Sequence, residues 1–239
     1  MATQVGPAVQ IAAHGLFEES TTQRHRLGEL VTAGDGRAYR YCKAGATALV
    51  PGKLQQAAAE ATNHQNVAPA AAAIGATSVT VTLGATAATA NQYAEGFLAI
   101  TVTPGQGYQY KIKSHPAADA SATLVLTLED PIEVALTTSS RCDLSTNPYS
   151  AVVVNPTTAT SAAVGVAVNN IAASSFGWLQ VRGPAVVLAD GALTVGVNVS
   201  ASNAVAGAVE AAVTAQAACG VCITGIADTE YGMVNLNIN

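Results

Sequence analysis

The sequence predicts an all-β protein: antiparallel β-sandwich or barrel modules behind an extended N-terminal arm, with at most short helices. Three observations point there. Short runs of alternating apolar and polar residues, rich in Val, Thr and Ile, recur along the chain, as in Ser78-Val79-Thr80-Val81-Thr82-Leu83. Gly, Pro, Asn and Asp clusters separate them at spacings that suit hairpins. Half of the residues are hydrophobic while only 10% are charged and 5% aromatic, so the core must be a thin, lean one of many Val, Ile and Leu side chains.

The elements follow in order. Residues 1–35 read as an arm. Charge is concentrated there in Glu18, Glu19, Arg24, Arg26 and Glu29, and Leu16, Phe17, Leu27 and Leu30 lie between in no regular period. These apolar side chains are too few to form a core of their own, so a partner surface is expected to take them. Residues 36–65 read as a β-hairpin followed by a short helix or linker. Gly34-Asp35-Gly36 is a turn signal and Arg37 to Lys43 alternates. Lys53 to His64 has the best helical composition in the chain but little amphipathic stripe, so a short surface helix and an extended linker are both open.

Residues 66–145 read as a small β domain with strands at Ser78–Leu83, Phe97–Thr103, Tyr108–Lys113, Ala122–Leu128 and Ile132–Leu136. Pro104-Gly105-Gln106-Gly107 joins two of them as a hairpin, and Glu129-Asp130-Pro131 turns a corner. Residues 146–239 read as a C-terminal β-barrel or sandwich. Its strands are expected at Ala151–Val154, Val164–Val168, Gly177–Val181, Ala185–Leu188, Leu193–Val199, Ala208–Val213, Val221–Ile226 and Tyr231–Ile238. Arg182 is the only Lys or Arg after Cys142. Strands with so few charges need their edges paired, within a barrel or across subunits, or they aggregate.

Composition also sorts the function classes. Ten Lys and Arg against fifteen Asp and Glu give a net charge of −5, which leaves no electrostatic footprint for nucleic acid. Val67 to Ala90 is uncharged and long enough to span a bilayer, but Pro69, Gly and Thr interrupt it and its strand-like alternation argues against a membrane helix. Met1 to Gly15 hold neither a basic start nor a concentrated apolar stretch, so no secretory signal is expected, and synthesis is placed in the cytoplasm.

Residues that could carry chemistry are scattered. His14, His25, His64 and His115 share no ligand spacing, so no metal site is expected. Cys219-Gly-Val-Cys222 is formally a C-x-x-C motif, but strand geometry sends positions three apart to opposite faces unless a bulge intervenes, so these thiols and those of Cys42 and Cys142 read as inert. Glu129, Asp130 and Glu133 flank a proline corner, where exposed carboxylates ordinarily sit. No nucleophile elbow, phosphate loop or dinucleotide fingerprint occurs, so neither a catalytic residue nor a cofactor is assigned.

Four stretches carry a resemblance: Arg37-Ala38-Tyr39-Arg40-Tyr41 through Ala44-Gly45 to Pro51-Gly52-Lys53-Leu54; Gly105-Gln106-Gly107-Tyr108-Gln109-Tyr110-Lys111-Ile112; Leu128-Glu129-Asp130-Pro131; and Gly177-Trp178-Leu179-Gln180-Val181-Arg182-Gly183-Pro184. Together they resemble the capsid decoration, or cement, proteins encoded beside the major capsid protein of tailed bacteriophages. The resemblance implies a β-rich, usually trimeric knob on the outside of an icosahedral shell, bridging capsid subunits, with no cofactor and no reaction. It implies two partners, the major capsid protein and further copies of the chain, and a place on the virion exterior. The arm residues Leu16, Phe17, Arg24, Arg26, Leu27 and Leu30 are then the expected capsid contacts. A head-fibre or receptor-binding β module is the alternative; a single Trp and no repeat period weigh against it.

Overall fold

The computed structural model describes residues 15–213 and 216–238. Fifteen strands are found among them. The first three are β1 (Leu30–Thr32), β2 (Ala38–Lys43) and β3 (Leu54–Gln56). Five more follow as β4 (Ser78–Thr82), β5 (Phe97–Val102), β6 (Gln109–Ser114), β7 (Thr123–Leu128) and β8 (Arg141–Ser145). The last seven are β9 (Val153–Val154), β10 (Ala163–Ala167), β11 (Phe176–Leu188), β12 (Asn198–Ala201), β13 (Val209–Ala211), β14 (Ala218–Cys222) and β15 (Tyr231–Asn237). The only helical pieces among the described residues are single 3-10 turns at Gly15–Phe17 and Thr62–His64, so no described helix is long and apolar enough to cross a membrane. All thirteen strand pairings are antiparallel. The protein is all-β.

The chain forms two compact units. One runs from residue 59 to 147, and the other combines the described residues up to Ala58 with those from Pro148 onward. The arm, the hairpin around β2 and the C-terminal strands therefore belong to one unit rather than three.

The inserted unit is a five-stranded sheet in the order β4-β7-β6-β5-β8. Strict alternation builds it: β7 reads exposed-buried throughout, with Leu124, Leu126 and Leu128 inward. These pack with Val79, Val81, Leu98, Ile100, Ile112 and Leu144 in one core. Both edge strands bond to one short segment. Val67 exchanges backbone hydrogen bonds of 2.9 and 3.0 Å with Cys142 of β8, while Thr82 donates to Ala68 at 3.1 Å and Ala70 to Thr80 of β4 at 2.7 Å. Hydrogen bonding thus runs from β8 through this segment back to β4, so the unit closes on itself as a barrel and both edges of the sheet are partly covered. Gly105 and Gly107 take φ values of +88° and +89° in the β5–β6 hairpin, a backbone region that glycine enters at no steric cost.

Two expectations fail in this unit. Ile132–Leu136 is not a strand: a bend at Glu133 and Val134 interrupts it, Ile132 donates to Ala76 and accepts from Gly75, both at 2.8 Å, and Leu136 alone forms a bridge, exchanging bonds of 2.9 and 3.0 Å with Ala72. Arg141–Ser145 is a strand instead. Its two charged residues conceal the inward pair Cys142 and Leu144.

The other unit holds a ten-stranded sheet in the order β13-β12-β14-β15-β11-β10-β3-β9, with β2 also on β11 and β1 outside β2. Its axis is β11, thirteen residues long. Gly183-Pro184 was expected to break it in two, yet it runs on. β2 begins opposite Arg182, with Ala38, and covers no residue of β11 beyond it, and the buried Gln180 side chain donates to the carbonyls of Arg182 and Pro184 at 3.1 and 2.8 Å. Those carbonyls keep partners where the neighbouring strand stops.

The first half of β11 is buried on both faces. Leu179 on one face packs with Cys42, Leu49 and Ile171. Gly177 leaves room for that packing, since a Cβ there would lie 2.6 Å from Cδ1 of Ile171. On the other face, Phe176 and Trp178 join Tyr39 and Tyr41 of β2.

The helical composition of Leu54–Ala61 is overridden. Leu54, Gln55 and Gln56 form β3, all buried, paired with β10 and β9. Burial between two strands outweighs the few tenths of a kcal/mol per residue that helix propensity offers. Leu193 also lies outside a strand, because a turn from Thr194 to Val197 delays β12 until Asn198.

Candidate binding surface

The aromatic face of β2 and β11 decides where the arm lies. Phe176 and Trp178 alternate outward from β11, and Tyr39 and Tyr41 do so from β2, so the sheet carries four large rings that water would otherwise wet. The residues from Gly15 to Thr32 cover them. Leu16 is buried among these rings, and Leu27 packs against them from the side. The His25 ring sits 5.1 Å from Tyr41 and 5.2 Å from Trp178, and its Nδ1 lies 3.2 Å from Glu29. Ser20 and Phe176 exchange backbone hydrogen bonds of 2.8 and 3.0 Å. Burial holds the Tyr41 hydroxyl above its ordinary pKa, and that oxygen accepts the Arg24 backbone N–H at 3.1 Å.

This corrects the expectation that the arm cannot dock on its own core. The six residues singled out divide accordingly. Leu16 and Leu27 are occupied within the fold. Phe17 is 57% exposed and Leu30 is 49% exposed, Leu30 projecting from β1 while its neighbour Val31 turns inward. Arg24 and Arg26 are exposed. The Arg24 guanidinium is 3.7 Å from the Glu18 carboxylate, an exposed pair that adds little stability.

Phe17 lines a groove of about 430 Å³ together with Pro51, Pro184, Val186, Tyr231 and Met233. The groove follows from register: Val186 stands opposite Met233 and Leu188 opposite Tyr231, all on the outer face of β11 and β15. Val186, Tyr231 and Met233 are 53%, 50% and 39% exposed. Ile223, also exposed, is bonded through its backbone to Met233 at 2.9 Å. Arg37 is the one charged side chain lining the groove, and it is engaged: its Nε donates to Asp35 at 2.7 Å. The Arg37 backbone N–H, and then its guanidinium, hold the Asp35 carboxyl below its ordinary pKa. Sequence reasoning missed this face. Its signal was present in the outward positions of Val186 and Leu188 and of Tyr231 and Met233, two runs whose facing partner no single sequence reveals.

The remaining candidates are placed as follows. Cys219 and Cys222 both point into the same core, contrary to the expectation of opposite faces. The register of β12 on β14 slips between Val199 and Ser200, and this bulge at Cys219 turns both thiols inward. Each sulfur has its own backbone acceptor, Val199 at 3.4 Å for Cys219 and Thr224 at 2.9 Å for Cys222. Burial pushes the Cys42 and Cys142 thiols up to about 12 and that of Cys219 up to about 11. Among the described residues no group of three or more His, Cys, Asp or Glu is arranged to hold a metal ion. At the hairpin around Gly105, Tyr108 is exposed and stacks on Tyr110, with centroids 6.4 Å apart. Asn147 and Tyr149 are buried.

No family model, no curated protein and no solved structure matches the chain.

Proposed function

We propose that the chain is a structural virion protein, a cement or decoration protein that binds the outer surface of an icosahedral phage capsid and bridges neighbouring capsid subunits. In this reading it acts as a homotrimer, its partners are the major capsid protein and further copies of itself, and it carries out no reaction and needs no cofactor. The observation that supports it best is the exposed apolar surface of the larger unit. Phe17, Val186, Tyr231 and Met233 line one groove whose single charged residue is already paired, and Leu30 is exposed on β1, outside that groove. Large exposed apolar side chains gathered in one place favour a protein partner over solvent.

The test is co-sedimentation of the purified chain with intact capsids of the phage that encodes it. Saturable binding is expected. The double variant Phe17→Ala with Leu30→Ala should weaken it about tenfold or more, the scale of truncating interface anchors. Its melting temperature should stay within a few degrees of the parent, because both side chains are about half exposed already. Absence of co-sedimentation overturns the reading. Unchanged binding by the double variant reassigns the contact to other loops, such as the one that presents Tyr108.

A further inference from the structure

Three loops at one place in the barrel unit are held together by two imidazoles and a tyrosine. His64, Tyr93 and His115 are all buried, at 0, 1 and 4% exposure. The His64 ring lies 5.7 Å from that of Tyr93, and the Tyr93 ring lies 5.6 Å from that of His115. The hydrogen bonds fix the proton positions. His115 Nε2 accepts the Tyr93 backbone N–H at 2.9 Å, so its proton sits on Nδ1 and is donated to the Pro116 carbonyl at 2.7 Å. His64 Nε2 faces the Thr86 carbonyl at 2.8 Å and must donate to it, which leaves Nδ1 to meet the Tyr93 hydroxyl. The loops are further joined by the Asn91 side chain, which accepts the His115 backbone N–H at 3.0 Å.

The two histidines answer differently to a second proton. On His64 the new proton would face the Tyr93 hydroxyl, whose oxygen can turn a lone pair toward it. On His115 it would face a backbone N–H, which has no lone pair to offer. Two donors would then point at each other between side chains that are at most 4% exposed. We infer that His115 is the acid-sensitive latch of the barrel unit: its protonation releases Tyr93 and opens the loops at residues 84–93 and 115–118 while the strands remain paired.

The groups that face this site are few. Tyr93 and, beyond it, His64 are the titratable ones. The Glu60 carboxylate acts on Tyr93, whose hydroxyl is pushed up to about 12 chiefly by burial, and Glu60 is itself bonded to Gln65 and Ser145. Burial likewise lowers the His115 pKa from its ordinary 6.5, only partly offset by the Pro116 carbonyl. The sign follows. The opened state binds the proton more readily, so closure is at full strength above about pH 6.5 and weakens as pH falls below it toward the lowered pKa of the closed state.

The test is amide hydrogen exchange of the whole chain between pH 4.5 and 8, with rates corrected for intrinsic exchange. Protection of the Tyr93 and Asn91 amides should drop about tenfold per pH unit below pH 6.5, as one-proton linkage requires. Amides of β7 should keep their protection. His64→Gln should leave the Tyr93 dependence in place, whereas His115→Gln should remove it. Should His115→Gln fail to fold, nitrogen-15 imidazole shifts of the parent protein decide. A His115 that stays neutral with the proton on Nδ1 to below pH 6.5 and titrates together with loss of Tyr93 protection supports the latch. Protection of Tyr93 that does not vary with pH, or that varies equally in His115→Gln, overturns it.

Discussion

Replacing Trp178 by Ala is expected to destabilise the larger unit by about 3–5 kcal/mol, the range for removing a buried Trp or Phe side chain. The indole is 2% exposed. It meets two rings, with centroids 5.0 Å from Tyr41 and 5.2 Å from His25, in the cluster that also holds Phe176. Its loss opens a cavity under the arm as well as removing apolar burial, so the arm should loosen before the sheet does. Two measurements check this: the urea midpoint followed by far-UV circular dichroism, and the rate of tryptic cleavage at Arg24 and Arg26, which should rise. A loss below about 1 kcal/mol with unchanged cleavage would mean that the arm is not held by the aromatic face. Trp178→Phe, which keeps a ring in place, should recover much of the difference.

The second large effect is expected from Leu98→Ala in the barrel unit, at about 2–5 kcal/mol. Leu98 is fully buried and central: it stands opposite Tyr110 of β6 on one side and Leu144 of β8 on the other. Because each unit has its own core, the damage should stay in the barrel. The chain has one Trp, and it lies in the larger unit, so its fluorescence reports that unit alone. In Leu98→Ala the circular-dichroism signal should acquire an earlier transition while the fluorescence midpoint remains at its parental denaturant concentration. A single transition shifted equally in both signals would show instead that the two cores unfold as one.

How far the chain could be read in advance differs from element to element. β4, β7 and β15 were legible because one face of each is buried and the other wet, so period-2 alternation is written directly into Ser78–Thr82, Thr123–Leu128 and Tyr231–Asn237. β3 was not, because Leu54-Gln55-Gln56 is buried on both faces and has no alternation to show. Its glutamines are polar residues placed inside by specific hydrogen bonds, such as that of Gln56 to Thr160 at 2.7 Å, a partner 104 residues away. The exposed residues Phe17 and Leu30 were among those expected to meet a partner, whereas Leu16 and Leu27, of the same kind and in the same segment, belong to the core. Nothing local separates the two pairs.

The sequence by itself determined the class of the fold, the positions of most turns and the scarcity of charge on the C-terminal strands. These depend on neighbours within a few residues, where steric preference and alternation act. Only the tertiary structure decided that the arm has a core to dock on, that a bulge turns Cys219 and Cys222 the same way, and that Val186 meets Met233 across two strands to make an apolar groove. Each of these depends on which residue stands opposite which in the sheet. Register is a long-range property, fixed by the summed burial of whole strands, and a slip of one residue reverses every face.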